Sequence, residues 1–386
     1  VNPGGLQLID YSVRTDCSFQ TALFFIAAQQ AGIADSATTG WELLHYLIRN
    51  NYIDSNTDRA THGFWQWGRG DNGRSYTGAE WPEDIFANDN CWPILFLANL
   101  PDRDRPDWLT KRIHTTANAF LETQGSDGLR VRCINGTELI EKGRPHYAGR
   151  PGGTPCGHFD GACVGALAAY AAMSGSATFA EIAGKGIESL AAAFLDDNRV
   201  DVPISRASDN MFLILPFALG ALYLQNTRAH EALAAVAEEI VEHQLDCGAV
   251  AEYANPVADL SRRTGDVGVF ADDKDEVCDL LYTMSFAGLY LPLAARVLAD
   301  RRIEAAAERV LQFLVDIQIH SERKQLNGTY MRAFSVRHWE YYGYNADYKW
   351  GPTVIESGWS NAVIGAAFAH ALSGTPFLSN IERLQA

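Results

Sequence analysis

DGACVGALAAYAAMSGSATFAEIAGKGIESLAAAFL, residues 160–195, is the stretch that decides the fold. Its first part, 160–174, is apolar on nearly every side, as in a helix buried all round. After a break at 174–177, the part from 179 to 195 carries polar residues at helical spacing (Glu181, Lys185, Glu188), as in a helix with one face in water. A buried helix followed closely by a half-exposed one is a hairpin that hides its first member.

Working outward, the same alternation recurs: 18–32 with 37–50, 89–100 with 108–123, 209–225 with 229–245, and 279–298 with 303–319. A sixth apolar segment, 356–372, is followed only by a short, ragged tail from Phe377 in which NIERLQ suggests a last outer helix. No segment reads as a strongly alternating strand. The reading predicts an all-α chain of about twelve helices in six hairpins, a closed ring with apolar helices inside and amphipathic helices outside, as a single catalytic domain over 1–386. Connections within hairpins are short, whereas those between them (54–88, 124–159, 246–278, 321–355) exceed the ~12–15 residues usual for a passive loop. Those long loops would open on one face, at the N-termini of the inner helices, where free N–H groups and the helix dipole favour anions.

Composition narrows the function. The chain has 386 residues, 47% hydrophobic and 20% charged, enough for a large core in a soluble globular protein. A net charge of −16 with no basic cluster argues against a nucleic-acid partner. Seven cysteines without a CxxC pair signal neither a disulfide framework nor a zinc ribbon. No stretch reaches the ~18 apolar residues of a membrane span. No signal peptide opens at Val1, so the expected location is cytoplasmic or periplasmic, and a start of Val-Asn-Pro-Gly-Gly reads as a processed or excised fragment.

At the inner-helix mouths stands a polar set: Arg14 and Asp16; Asn88, Asp89 and Asn90; His158 and Asp160; Asp209 and Asn210; Glu276 and Asp279; Glu356, Ser357 and Trp359. Each alone is an ordinary helix cap. Their company is aromatic: Trp65, Trp67, Arg69 and Tyr76 in one loop, Arg144, His146 and Tyr147 in the next, and Trp339, Tyr341, Tyr342, Tyr344, Asp347, Tyr348 and Trp350 in the last. Rings that stack on sugar faces, beside Asp, Asn, His and Arg for hydroxyls, suit a carbohydrate cleft. Glycoside cleavage takes one protonated and one ionised carboxyl, and an apolar wall keeps the acid protonated. Asp89 and Glu356 are the first catalytic candidates, with Asp160, Asp347 and Glu340 as rivals. Trp65, Trp67, Arg69, Asn88, His146, His158, Tyr341, Asp347, Trp350 and Trp359 are the candidate substrate contacts. No cofactor is called for. Cys156, His158 and Asp160 are too isolated a set for zinc, the acidic run 271–276 reads as a solvated turn rather than a magnesium motif, and Cys17 lacks an adjacent base.

The segments NDNCW (88–92), GRPHY (143–147), DLLYTMSFAGLYLPLAA (279–295) and WEYYGYNADYKWGPTVIESGW (339–359), with the paired helices, resemble the six-hairpin glycosidase superfamily over nearly the whole chain. That resemblance implies an (α/α)6 barrel, or toroid, and a glycoside hydrolase working by carboxylate acid and base. Within it, unsaturated glucuronyl hydrolases place an aspartate at each of two successive mouths, which Asp89 and Asp160 match by position. Arg69, Arg144 and His146 would then hold a uronate. The N-terminal β-domain of some relatives has no counterpart here. A lyase or sugar epimerase on the same barrel would move a proton with His146, His158, His338 or Tyr341. A non-catalytic sugar-binding protein is the third reading.

Overall fold

The computed structural model describes residues 12–69, 84–197, 200–203, 205–253, 276–342 and 353–384. In chain order, α1 (Thr15–Gln30) turns back as α2 (Ala37–Arg49). A single turn, α3 (Ala87–Asn90), leads into α4 (Trp92–Asn99), which returns as α5 (Asp107–Thr123). Two short helices, α6 (Gly136–Lys142) and α7 (Pro145–Ala148), occupy the next long loop. The hairpins α8 (Ala162–Ser174) with α9 (Ala177–Ala192), α10 (Arg206–Tyr223) with α11 (Thr227–Glu242), and α12 (Met284–Leu298) with α13 (Arg301–Asp316) follow, and α14 (Val363–Ser373) is the last helix.

The inner helices α1, α4, α8, α10, α12 and α14 each pack on the next, and α14 returns to α1, closing the ring. Burial explains the sorting. α8 buries almost every side chain from Ala162 to Met173, whereas α13 buries only Ile303, Ala306, Ala307, Val310, Phe313 and Leu314, a stripe at helical spacing. Side chains from Phe19 to Ile381 form one continuous apolar cluster. Each Leu or Phe so buried is worth ~1.5–3 kcal/mol. The tight α8–α9 turn is made at Gly175, whose φ of 69° is a conformation that costs a residue with a Cβ.

Two features differ from the sequence reading. Past α14 no outer helix forms among the described residues; Pro376 cannot continue a helix. The tail instead crosses the end of the ring away from the mouth, where Leu378 N–H donates to Asn99, Tyr223 donates to the Leu378 carbonyl and Leu384 N–H donates to the Met173 carbonyl. The described sixth hairpin is therefore an inner helix without its partner. There are also strands, in three antiparallel ribbons: β1 (Val13–Arg14) with β2 (Gly68–Arg69), β3 (Ile85–Phe86) with β4 (Cys133–Ile134), and β5 (Val277–Asp279) with β6 (Ala333–Ser335). Segments this short carry no legible alternation. Each ribbon ties the residues entering an inner helix to the loop returning from its outer partner, which fixes the mouth. No helix among the described residues is long and apolar enough to cross a membrane.

Candidate active site

Arg14 is the hub of the mouth. It stands in β1 opposite Gly68, one residue before α1, with its side chain only 12% exposed. Its Nη2 lies 2.6 Å from Asp16 Oδ2 and its Nε 3.2 Å from Asp16 Oδ1, a two-pronged pairing. Nη2 is also 3.6 Å from Asp89 Oδ1, and Nη1 is 3.4 Å from Glu356 Oε1. The Trp67 ring lies 4.8 Å from the guanidinium carbon. Three carboxylates from three hairpins thus converge on one cation. Burial opposes the Arg14 charge, but Asp16, then Cys17, Asp89 and Glu356, raise its pKa above the ordinary guanidinium value. Burial raises the Glu356 carboxyl above the usual glutamate range, with Arg14 pulling it back and Asp16 pushing it further up. The Cys17 thiol, 3.5 Å from Glu356 Oε1, donates to it.

Beside this cluster is an aromatic wall built by two π-helical turns, a distortion that recurs at functional sites. One turn, Gly157–Gly161, begins the α8 segment and presents His158; the other, Ser357–Ala362, begins the α14 segment and presents Trp359. The two rings stack at 6.3 Å, 29° apart, and Tyr282, at the mouth of the fifth hairpin, meets both edge-on at 4.9 and 5.9 Å. Trp359 links the wall to the cluster, since its indole N–H donates to Asp16. The His158 backbone N–H donates to Asp209, and His158 Nε2 is 3.5 Å from Asn88 Nδ2. Burial, and then the Arg132 charge, push the imidazole down to about 3, so it is neutral at ordinary pH. Its Nδ1 and the Asn88 Oδ1 have no hydrogen-bond partner among the described residues.

The structure therefore gathers Asp89, Glu356, Asn88, His158, Trp67 and Trp359. Other expected residues among those described are held in other ways. Asp160 accepts backbone N–H groups from Arg130 at 3.3 Å and Cys156 at 3.0 Å, and burial pushes it up to about 7. Trp65 is wholly buried, with its indole N–H on Thr116 and its ring against Phe19. Arg69 donates to Gln66 and the Asn51 carbonyl over the Tyr52 ring, and Arg144 holds Glu122 and two carbonyls of the 60–62 turn. His146 sits by Glu138 at 3.6 Å on α7, against the outer helix α5, and Tyr341 donates to the Ile317 carbonyl. The two arginines proposed for a uronate are thus engaged with the chain itself. Asp347 and Trp350, with Tyr76, Tyr344 and Tyr348, lie outside the described residues. Arg14, Asp16 and Tyr282 complete the site: the first two stood in the mouth set without a role, and Tyr282 lay unremarked inside the DLLYTMSF run.

The ring of hairpins is an (α/α)6 barrel. Among solved structures, it is similar to a sugar epimerase from a ruminal bacterium, with TM-score 0.65 and 12% identity over 95% of this chain and 90% of that one. A cellobiose 2-epimerase from Bacillus thermoamylovorans gives 0.63 and 11% over 94% and 89%. An unsaturated glucuronyl hydrolase from a Bacillus species gives 0.58 and 14% over 96% and 88%. At such identities the likeness is one of fold. No protein-family model matches the chain, and no curated protein matches it in sequence.

Proposed function

We propose that the protein is a glycoside hydrolase acting on an oligo- or polysaccharide, with Glu356 as the general acid and Asp89 as the base or nucleophile. The observation that carries this reading is the carboxylate cluster around Arg14. Glu356 and Asp89 both lie within 4 Å of one guanidinium, so their facing oxygens are under ~10 Å apart, the span over which two carboxyls can act on one glycosidic bond. Burial keeps Glu356 inclined to hold its proton, as an acid must. Trp67, partly exposed beside Arg14, supplies the stacking contact and Asn88 a hydroxyl contact, while Trp359 and His158, each 3% exposed, would meet only the part of the sugar that reaches the carboxylate cluster. Asp16 and Asp89 beside Arg14, with Arg332 also acting on Glu356, give a site whose charges are largely paired, which suits a neutral sugar at the point of cleavage.

A second reading, epimerisation, rests on the place of His158, which stacks on Trp359 beside the carboxylates; to move a proton beside a sugar carbonyl, its buried Nδ1 would have to meet the substrate and its basicity, pushed down to about 3 by burial, would have to rise on binding. Both readings meet in one experiment. Neutral and uronate oligosaccharides are incubated with the protein and followed by reducing-end release, by sugar analysis for epimers, and by ultraviolet absorbance for the unsaturated product of a lyase. Hydrolysis that falls ~10²-fold or more in Asp89→Asn and Glu356→Gln supports the assignment. Full activity in both variants with loss in His158→Gln would reject it in favour of epimerisation.

A further inference from the structure

Far from the mouth, a groove of about 540 Å³ opens between the first two hairpins, within the size range of small-molecule sites. It is formed by the C-terminal end of α1, the start of α2 and the 103–108 segment that enters α5. Along α1 it lies ~21 Å from Asp16, at 1.5 Å per residue. One flank is aromatic: His45 stacks on Trp108 at 4.4 Å and 28°, and Trp41 meets Trp108 edge-on at 6.4 Å. These rings are only partly covered, and Trp41 is also braced edge-on against the core residue Phe96 at 5.9 Å. The other flank is polar, with the exposed side chain of Gln29, whose Oε1 accepts from the Ala37 N–H at 2.9 Å, and the guanidinium of Arg103, which is 85% exposed and pairs with Asp104 at 3.8 Å. Beneath them Arg105 is buried, tied to the Leu97 carbonyl and Asp102, with its Nη2 lacking a partner among the described residues.

A preformed aromatic face opposite amide and guanidinium donors, with opposite charges balanced, is the complement of a sugar ring, whose C–H faces are apolar and whose rim is hydroxylated. We propose that this groove is a second, non-catalytic binding site for a neutral saccharide chain, distinct from the mouth. The choice of saccharide rests on the hydrolase reading above; the groove holds a length of the same polymer while the mouth cleaves elsewhere.

The test uses the whole protein carrying Asp89→Asn and Glu356→Gln, so that nothing is turned over, and titrates it with cello- and manno-oligosaccharides by calorimetry and tryptophan fluorescence. Binding that persists in this background and weakens about tenfold in His45→Ala, as for loss of one ring contact, supports the proposal. Trp108→Phe, which keeps the packing volume better than alanine, should weaken it less. Saccharide binding unchanged by His45→Ala and by Gln29→Ala in folded protein, or no binding of either series outside the mouth, overturns it. The hydrolase reading fails separately, if the parent protein releases no reducing ends or if Glu356→Gln retains full turnover.

Discussion

Replacing Arg14 with methionine removes the one cation common to Asp16, Asp89 and Glu356 while keeping an unbranched stem. Its contacts at 2.6, 3.4 and 3.6 Å are each worth ~4–6 kcal/mol of attraction at an effective dielectric constant near 20, before the cost of removing the ions from water. The net loss on breaking such a buried arrangement is smaller, ~3–5 kcal/mol, most of it from carboxylates left without a partner. A chain of 386 residues unfolds with an entropy of ~0.8 kcal/mol per kelvin, so the melting temperature should fall by ~5 °C. The pH response has a sign as well. Arg14 opposes the burial that raises Glu356; without it the carboxyl holds its proton to still higher pH. The alkaline limb of the pH–rate profile, where the acid is lost, should therefore move up. Calorimetry and a pH–rate profile on the oligosaccharide found by screening measure the two effects. An Arg14→Met protein that melts within ~1 °C of the parent and keeps its alkaline limb would refute the idea that Arg14 couples the three carboxyls.

Three further outcomes follow from the same geometry. Burial pushes Asp160 and Asp209 up to about 7 and, with Asp279 adding to it, raises Glu252. The folded chain thus keeps protons that the unfolded chain releases near pH ~4, and this contribution to stability, complete below that pH, is lost as pH rises through ~7. Melting temperature should decline from pH ~5 to pH ~8, and Asp209→Asn should flatten the decline; an equal slope in the variant contradicts the burial argument. A Cβ on Gly358 would come within 2.6 Å of the Cys17 Cα and Sγ at the start of α1. Gly358→Ala should cost ~1–3 kcal/mol on denaturant unfolding and, by shifting Glu356 against Asp89, lower kcat by up to ~10²-fold; wild-type stability and turnover would show that the approach is not tight. Trp359→Phe deletes the indole donor to Asp16 and should cost ~1.5–3 kcal/mol on the same assay, with an unchanged midpoint counting against that hydrogen bond.

The sequence by itself determined the ring. The alternation of all-apolar and one-faced helices, seen at 160–195 and repeated along the chain, follows from which faces must leave water, a local property written in side-chain spacing. It also put Asp89 and Glu356 at helix mouths on one face, because a helix start has a sequence signature. Tertiary structure alone decided which mouth residues meet. Arg14 and Glu356 are 342 positions apart, and only closure of α14 onto α1 makes them neighbours. The same holds within a single loop: Trp65 and Trp67 are two residues apart and equally suited to a sugar wall, yet the first is sealed against Phe19 and Thr116 while the second lies against Arg14. Irregular backbone carries no periodicity from which burial can be read. Asp160 was eligible beside Glu356 until the fold turned two backbone N–H groups onto it, and although Pro376 already argues against a sixth outer helix, only contacts with α4, α8 and α10 lay the described tail across the base of the ring. Spacing reveals which face of an element is buried; what it is buried against depends on contacts between distant segments, which exist only once the ring has closed.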